Sequence, residues 1–226
     1  MSNSRLIVIA IDGPAGAGKS TVAKALAKRL DFFLLDTGAI YRALALQASR
    51  LGVAHSDGPA LGKLADSLPI RFDAESRVWI GSEDVSTAIR TPEMSQGAST
   101  VSAHPEVRAA LLGLQRQLAT AGSCVVEGRD IGTVVLPDAP LKFFLTARPE
   151  IRAQRRFDEL RARGQAVGVD LATTLKEMQE RDQRDEKRQV APLKPAADAR
   201  LLDTSDLSFD QVVSAMEQAA RSRLAL

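Results

Sequence analysis

One eight-residue stretch constrains this chain more than any other. Gly13-Pro14-Ala15-Gly16-Ala17-Gly18-Lys19-Ser20 matches G-x-x-x-x-G-K-[ST] at every fixed position. The glycines let the backbone curl so that successive N–H groups point at one anion. Lys19 adds a mobile positive charge in what reads as a solvent-facing loop, and Ser20 offers a hydroxyl to Mg²⁺. The flanks agree with this reading. Leu6-Ile7-Val8-Ile9-Ala10-Ile11 is an apolar, β-branched run, the pattern of a buried parallel strand. Thr21 to Leu30 carries helix formers, with Val22, Leu26 and Leu30 on one face. A strand, a glycine loop and a helix in that order bring the positive end of the helix to the anion.

Composition limits the remaining possibilities. The 226 residues carry 30 basic and 28 acidic side chains, a net charge of +2 that does not suggest a nucleic-acid binder. Twenty-two of the basic residues are Arg. Arg suits bidentate phosphate recognition, but a genome favouring Arg and Ala codons explains most of the surplus equally well. The single cysteine, Cys124, excludes an intrachain disulfide and sits in an apolar run as a small core residue. No run approaches the roughly 20 apolar residues of a membrane span, so the expectation is a cytoplasmic protein, without membrane or nucleic-acid partners and monomeric.

Further along, Phe32 to Asp36 reads as a strand, Thr37-Gly38-Ala39 as a loop, and Ile40 to Arg50 as a helix. The region from Ser56 to Thr91 breaks the rhythm, with one short helix and two or three short strands. Trp79 reads as the anchor of that small core. Val107, Leu111, Leu114 and Leu118 mark a helix that opens near Pro105. Strands are expected at 123–127, 141–145 and 200–204, and helices at 151–162, 171–188 and 209–223. About five apolar strands alternating with helices indicate an α/β fold with a parallel sheet covered on both faces. The chain divides into a core (1–55, 105–150, 195–226), a β-containing insertion (56–104) and a helical lid region (151–194).

Three strands end in carboxylates: Asp36, Glu127 and Asp203. Strand C-termini line the ligand crevice of a parallel sheet. Glu127 is the first choice for holding a metal beside the phosphate loop and Asp36 the second; Asp203 has an alternative reading as a turn residue before Ser205. Arg181, Asp185 and Arg188 share one helix face, as a functional cluster or as a solvated ladder of charges. Arg152, Arg155 and Arg156 lie on one side of another helix, suited to a lid over phosphates or to a basic surface.

Several longer motifs narrow the choice. Leu35-Asp36-Thr37-Gly38-Ala39-Ile40-Tyr41-Arg42, Glu127-Gly128-Arg129-Asp130-Ile131-Gly132-Thr133-Val134-Val135 and Arg181-Asp182-Gln183-Arg184-Asp185 through Arg188 resemble the bacterial-type cytidylate kinases over nearly the whole chain. The resemblance implies a P-loop nucleoside monophosphate kinase fold that passes the ATP γ-phosphoryl to CMP or dCMP with Mg²⁺. It implies that Gly13–Thr21 and Arg156 bind ATP, with Lys19, Arg129 and Arg188 acting on the moving phosphoryl and Ser20 with Glu127 at the metal. On the acceptor side it implies Thr37, with Arg42, Arg129 and Arg188 on the phosphate, Arg181 and Asp185 on the sugar, and Ser99, Arg108 and Asp130 on the base. The last set has independent chemical sense, because a carboxylate accepts from the cytosine amino group where uracil presents a carbonyl. The family often has Asp where this chain has Glu127, one methylene longer. Other readings of the scaffold are a UMP, AMP or shikimate kinase, or a nucleotide-dependent regulatory switch.

Overall fold

Five of the apolar runs pair into one sheet. The computed structural model describes residues 6–166 and 168–224. Strands β1 (Val8–Asp12), β2 (Phe33–Asp36), β6 (Cys124–Glu127), β7 (Leu141–Thr146) and β8 (Arg200–Asp203) form a parallel sheet in the order β2-β6-β1-β7-β8. The phosphate loop leaves the central strand. Beside it, the parallel register sets Ile11 opposite Glu127 and Asp12 opposite Phe144. The carboxylate of β6 therefore emerges next to the loop because of register alone.

Helices α1 (Lys19–Leu30) and α8 (Phe209–Leu224) cover this sheet. Val22, Leu26, Val213 and Met216 pack with Ile9, Ile11, Phe143 and Leu145 in one apolar core. Helices α6 (Pro149–Ala162) and α7 (Leu171–Lys187) lie in the same compact unit, which comprises Met1–Leu34 and Ala119–Leu226. Cys124 is buried there, and desolvation pushes its thiol up to about 12, so it is an inert core residue as its apolar run suggests.

The second unit, Leu35–Leu118, is mostly helical. It contains α2 (Thr37–Arg50), α3 (Gly58–Ser67), α4 (Pro92–Val101) and most of α5 (Pro105–Ala119). Ile40, Leu44, Leu61, Ile89 and Leu111 are fully buried in its core. Three short antiparallel strands, β3 (Ile70–Phe72), β4 (Val78–Ile80) and β5 (Glu83–Asp84), supply the β element that the sequence indicates.

Two local expectations are corrected, and one further element lies outside any expectation. Thr37-Gly38-Ala39 is the first turn of α2 rather than a loop, because the Asp36 side chain accepts from the Ala39 N–H at 3.1 Å and caps the helix. Trp79 does not anchor the small core: Val78 points inward, while Trp79 is half-buried, with the Arg71 guanidinium 4.3 Å from its ring and its indole N–H on Asp73 at 2.9 Å. The segment after Asp130 is a single π turn, Ile131–Val135, which apolar patterning does not reveal.

Candidate active site

The phosphate loop is shaped by contacts that exclude side chains. Gly13 has φ 146°, and a Cβ there would collide with the Leu145 carbonyl. At Gly16, with φ 73°, a Cβ would meet Met178 on α7 at 2.7 Å and the Arg152 backbone at 2.9 Å. Gly18 caps α1 without any side-chain bond to its first N–H groups. Lys19 is buried rather than solvent-facing, and its Nζ donates to the Pro14 carbonyl at 2.7 Å. Burial, reinforced by the charges of Arg129 and Arg181, holds this amine well below the ordinary lysine range against the opposing pull of Glu127 and Asp12. Ser20 Oγ donates to Glu127 Oε2 at 2.8 Å, so the two oxygens named for a metal lie side by side.

A cationic cluster surrounds one buried carboxylate. Arg129 follows β6 directly, and its Nε donates to Asp185 Oδ2 at 3.0 Å. Arg188, just past the end of α7, brings Nη1 to 3.7 Å from Asp185 Oδ1 and donates through Nη2 to the Ala191 carbonyl at 2.9 Å. Burial raises the Asp185 carboxyl, but Arg129, Arg181 and Arg188 together outweigh it and hold the group below the usual carboxylate range. This face is therefore a buried charge cluster, not a solvated ladder. The balance is electrostatic: one carboxylate orders several guanidinium groups that would otherwise repel one another.

The helical unit carries its own polar set. Arg42, one turn into α2, donates to Asp36 Oδ2 at 2.6 Å. Burial pushes the Asp36 carboxyl up, yet Arg42, with Arg90 behind it, brings the net shift below the ordinary value. Asp36 is thus engaged as a helix cap and arginine partner, which removes it as a metal choice. On α4 and α5, Ser99 and Arg108 are buried. Arg108 donates to the Ser102 carbonyl at 3.4 Å and lies 5.8 Å from the Tyr41 ring centre. The Ser99 hydroxyl is buried with no hydrogen-bond partner among the described residues. A buried hydroxyl without a partner is costly and marks a place where a ligand atom can bond.

A phosphate loop with its own lysine, joined in one unit to a second arginine cluster, suits two phosphate-bearing substrates. The sequence profile of the cytidylate kinases matches residues 9–222. The chain belongs to the cytidylate kinase family. It is 53% identical over 209 residues to the cytidylate kinase of Pelotomaculum thermopropionicum, covering 91% of this chain and 92% of that one. It is 48% identical over 223 residues to the cytidylate kinase of Syntrophotalea carbinolica, covering 97% and 94%. Among solved structures it resembles an uncharacterized protein from Eubacterium ventriosum (TM-score 0.55, 16% identity, 96% and 99% covered) and the shikimate kinase of Bacteroides thetaiotaomicron (TM-score 0.50, 14% identity, 98% and 100% covered). The two structures share the fold with this cytidylate kinase family member.

Not every residue expected of a cytidylate kinase joins these clusters. Arg152 is not on a lid surface: it is buried, donating to Ala147, to the phosphate-loop carbonyl of Ala15 at 3.0 Å and to Asp182 at 2.5 Å. Arg155 is spent on the Thr204 hydroxyl and carbonyl. Arg156 is half-buried and pairs with Glu159 at 2.9 Å, one turn along α6. Asp203 accepts from the Ser205 N–H and hydroxyl, which bears out its turn reading. Asp130 is buried but makes no capping bond to the turn it opens. Thr37 is buried at the start of α2. Sequence reasoning overlooked Asp12, although β1 ends in a carboxylate just as β2, β6 and β8 do. It also left Arg90 without a role.

Proposed function

We propose that this chain transfers the γ-phosphoryl group of ATP to CMP or dCMP, with each unit contributing its own polar set. An oxygen of the acceptor phosphate attacks the γ-phosphorus as the bond to the departing ADP oxygen breaks. No strong base is needed, because the acceptor phosphate is already ionised near neutral pH. The observation that carries this reading is the Arg129–Asp185–Arg188 cluster. A nucleotide switch has no use for a second phosphate-binding set beside its own loop lysine.

Gly13–Thr21 wraps the ATP phosphates, and Lys19 turns from the Pro14 carbonyl to their oxygens. An arriving anion offsets the burial that weakens this ammonium group. Arg129 and Arg188 stabilise the charge on the moving phosphoryl and align the acceptor phosphate, with Arg42 of the helical unit on the same acceptor group. Asp185 positions the arginines and, with Arg181, faces the sugar. Arg156 is the member of its helical trio not tied to a distant element, which suits it to reach the donor phosphates from α6. Thr37 serves the acceptor.

The Ser20–Glu127 pair fits Mg²⁺, which takes one or two protein oxygens and fills its shell with water and phosphate. Among the described residues no group of three or more His, Cys, Asp or Glu could hold a metal. When bound, Mg²⁺ would neutralise charge on the β- and γ-phosphates. No helix among the described residues is long and apolar enough to cross a membrane. We take the enzyme as a cytoplasmic monomer.

Ser99, Arg108 and Asp130 read cytosine: Asp130 accepts from the amino group, while the other two donate to ring acceptors. A coupled ADP-release assay across CMP, dCMP, UMP, AMP and shikimate tests the reading. CMP and dCMP should exceed UMP by at least ~10-fold in kcat/KM, because uracil sets a carbonyl against the carboxylate. Asp130→Asn should narrow that ratio mainly by losing CMP. An unchanged ratio in a well-folded variant removes Asp130 from the base.

A further inference from the structure

Asp12 is the last residue of the central strand and is joined directly to Gly13. It is 4% exposed, yet it is charged and lies outside the residues assigned to nucleotide. Its Oδ1 accepts from the Ile131 N–H at 2.8 Å and its Oδ2 from the Gly132 N–H at 2.8 Å. These two groups open the π turn, whose internal bonds run from Val135 N–H to the Asp130 carbonyl at 3.1 Å and from Leu136 N–H to Ile131 at 2.7 Å. The first N–H groups of a helical turn have no partner within it and ordinarily take one from the residue at its start. Here that residue is Asp130, and its side chain makes no such bond. A carboxylate 118 positions earlier in the chain fills the role instead.

The geometry points to Asp12 as a positioning residue for phosphoryl transfer. It caps the turn from the strand side, so Asp130 need not, and it locks the Arg129–Asp130 segment to the root of the phosphate loop. This inference rests on the reading of Arg129 and Asp130 as nucleotide-contacting groups. Two further observations support it. The far end of the same segment is held by Lys142, which donates to the Pro137 carbonyl and to Asp198 at 2.9 Å, and a Cβ on Gly132 would lie 3.0 Å from the Lys142 chain. The turn is thus pinned at both ends with little room to shift. Burial, together with the nearby Asp130 charge, also pushes the Asp12 carboxyl up to about 6 against the two amide donors. A group that resists ionisation there is a poor choice for stability alone.

The decisive experiment is a cycle of four proteins: wild type, Asp12→Asn, Arg129→Ala and the double variant. Asn keeps the shape but turns one acceptor into a donor facing an N–H. We expect kcat with CMP to fall ~10- to 100-fold, as for a small misplacement of catalytic groups. ATP affinity by titration calorimetry should stay within ~3-fold, since the phosphate loop keeps its chain and its glycines. In the Arg129→Ala background the same change should cost less than ~3-fold, because the group it positions is gone. Full multiplicative losses, or a lower melting temperature with unchanged kcat, overturn the inference. If Asp12→Asn does not fold, Asp12→Glu enters the cycle; it keeps charge and both acceptors but displaces the turn, and an unaltered kcat is equally fatal. Amide exchange on the wild type gives a readout apart from activity: Ile131 and Gly132 should be strongly protected, and fast exchange at both refutes the cap. A wild type that does not phosphorylate CMP defeats the functional reading itself, whereas an active wild type with an indifferent Asp12→Asn defeats only this inference.

Discussion

The two units handle buried charge differently. In the sheet unit, charged groups meet charged groups: Arg129 and Arg188 share Asp185, Arg152 holds Asp182, and Lys19 lies among Arg129, Glu127, Arg181 and Asp12. In the helical unit, the Arg42–Asp36 ion pair is partly exposed, while the buried Ser99 hydroxyl has no hydrogen-bond partner among the described residues and the buried Arg108 donates to the Ser102 carbonyl beside the Tyr41 ring. The contrast follows from the task of each set. A migrating phosphoryl group needs charge held in advance, and interlocking ion pairs do that without reorganisation. A base is neutral, and its edge is read by single donors and acceptors whose cost when unmatched supplies discrimination. Disturbing the sheet unit should therefore cost stability and rate together. Disturbing Ser99, the uncharged member of the helical unit's set, should change selectivity with little change in stability.

Asp185→Ala should give the largest effect. Removing one partner of a buried ion pair costs about 3–5 kcal/mol, here by leaving several guanidinium groups uncompensated. A chemical melt should show that loss alongside weakened use of CMP and dCMP. The burial of Asp185 makes this larger than a surface ladder would allow, and a stability change under ~1 kcal/mol would return the face to that ladder.

Lys19→Ala comes next. Loss of a preorganised charge donor lowers kcat by ~10²–10³-fold. Because Lys19 is itself buried on the Pro14 carbonyl, some stability change accompanies it. A folded variant with near-normal turnover breaks the claim that the sheet unit supplies the charge.

The sign of pH dependence should differ between the units. Asp12 is raised from 3.8 to about 6, so the folded state binds its proton more tightly than the unfolded chain. Its contribution is fully present below the unfolded value and is lost as pH rises through about 6, roughly 3 kcal/mol in all. Asp36 is lowered, so its contribution is present above the ordinary value and is lost as pH falls through its depressed one. Melts of wild type against Asp12→Asn and against Asp36→Asn, from pH 3 to 8, should slope in opposite directions. Parallel slopes would erase the distinction.

Ser99→Ala is the smallest and the sharpest test of the helical unit. Removing a buried hydroxyl without a partner should leave stability unchanged or raise it by up to ~1 kcal/mol, while KM for CMP rises ~3- to 10-fold. A clear loss of stability with no change in KM would make the residue structural.

The sequence by itself determined the phosphate loop, its flanking strand and helix, the five-strand parallel sheet and the family. These follow from local patterns: apolar runs, glycines at fixed spacing, and carboxylates closing strands, each legible within a dozen residues. It also placed Ser20 with Glu127, because adjacent parallel strands carry their C-termini to one edge. Tertiary structure alone decided which charges are spent on the fold. Arg152, Arg155 and Arg156 look alike at helical spacing, yet one is buried on Asp182 and Ala15, one is tied to Thr204, and one pairs within its own helix. The helix face of Asp185 could be a surface or an interior until its neighbours were in place. The Thr37 turn became helical once the Asp36 side chain reached Ala39. Asp12 reads as punctuation before a glycine loop until Ile131 and Gly132 fold back to it. The partners of a polar side chain lie wherever the chain returns, over a hundred residues away here, and no local pattern encodes that distance.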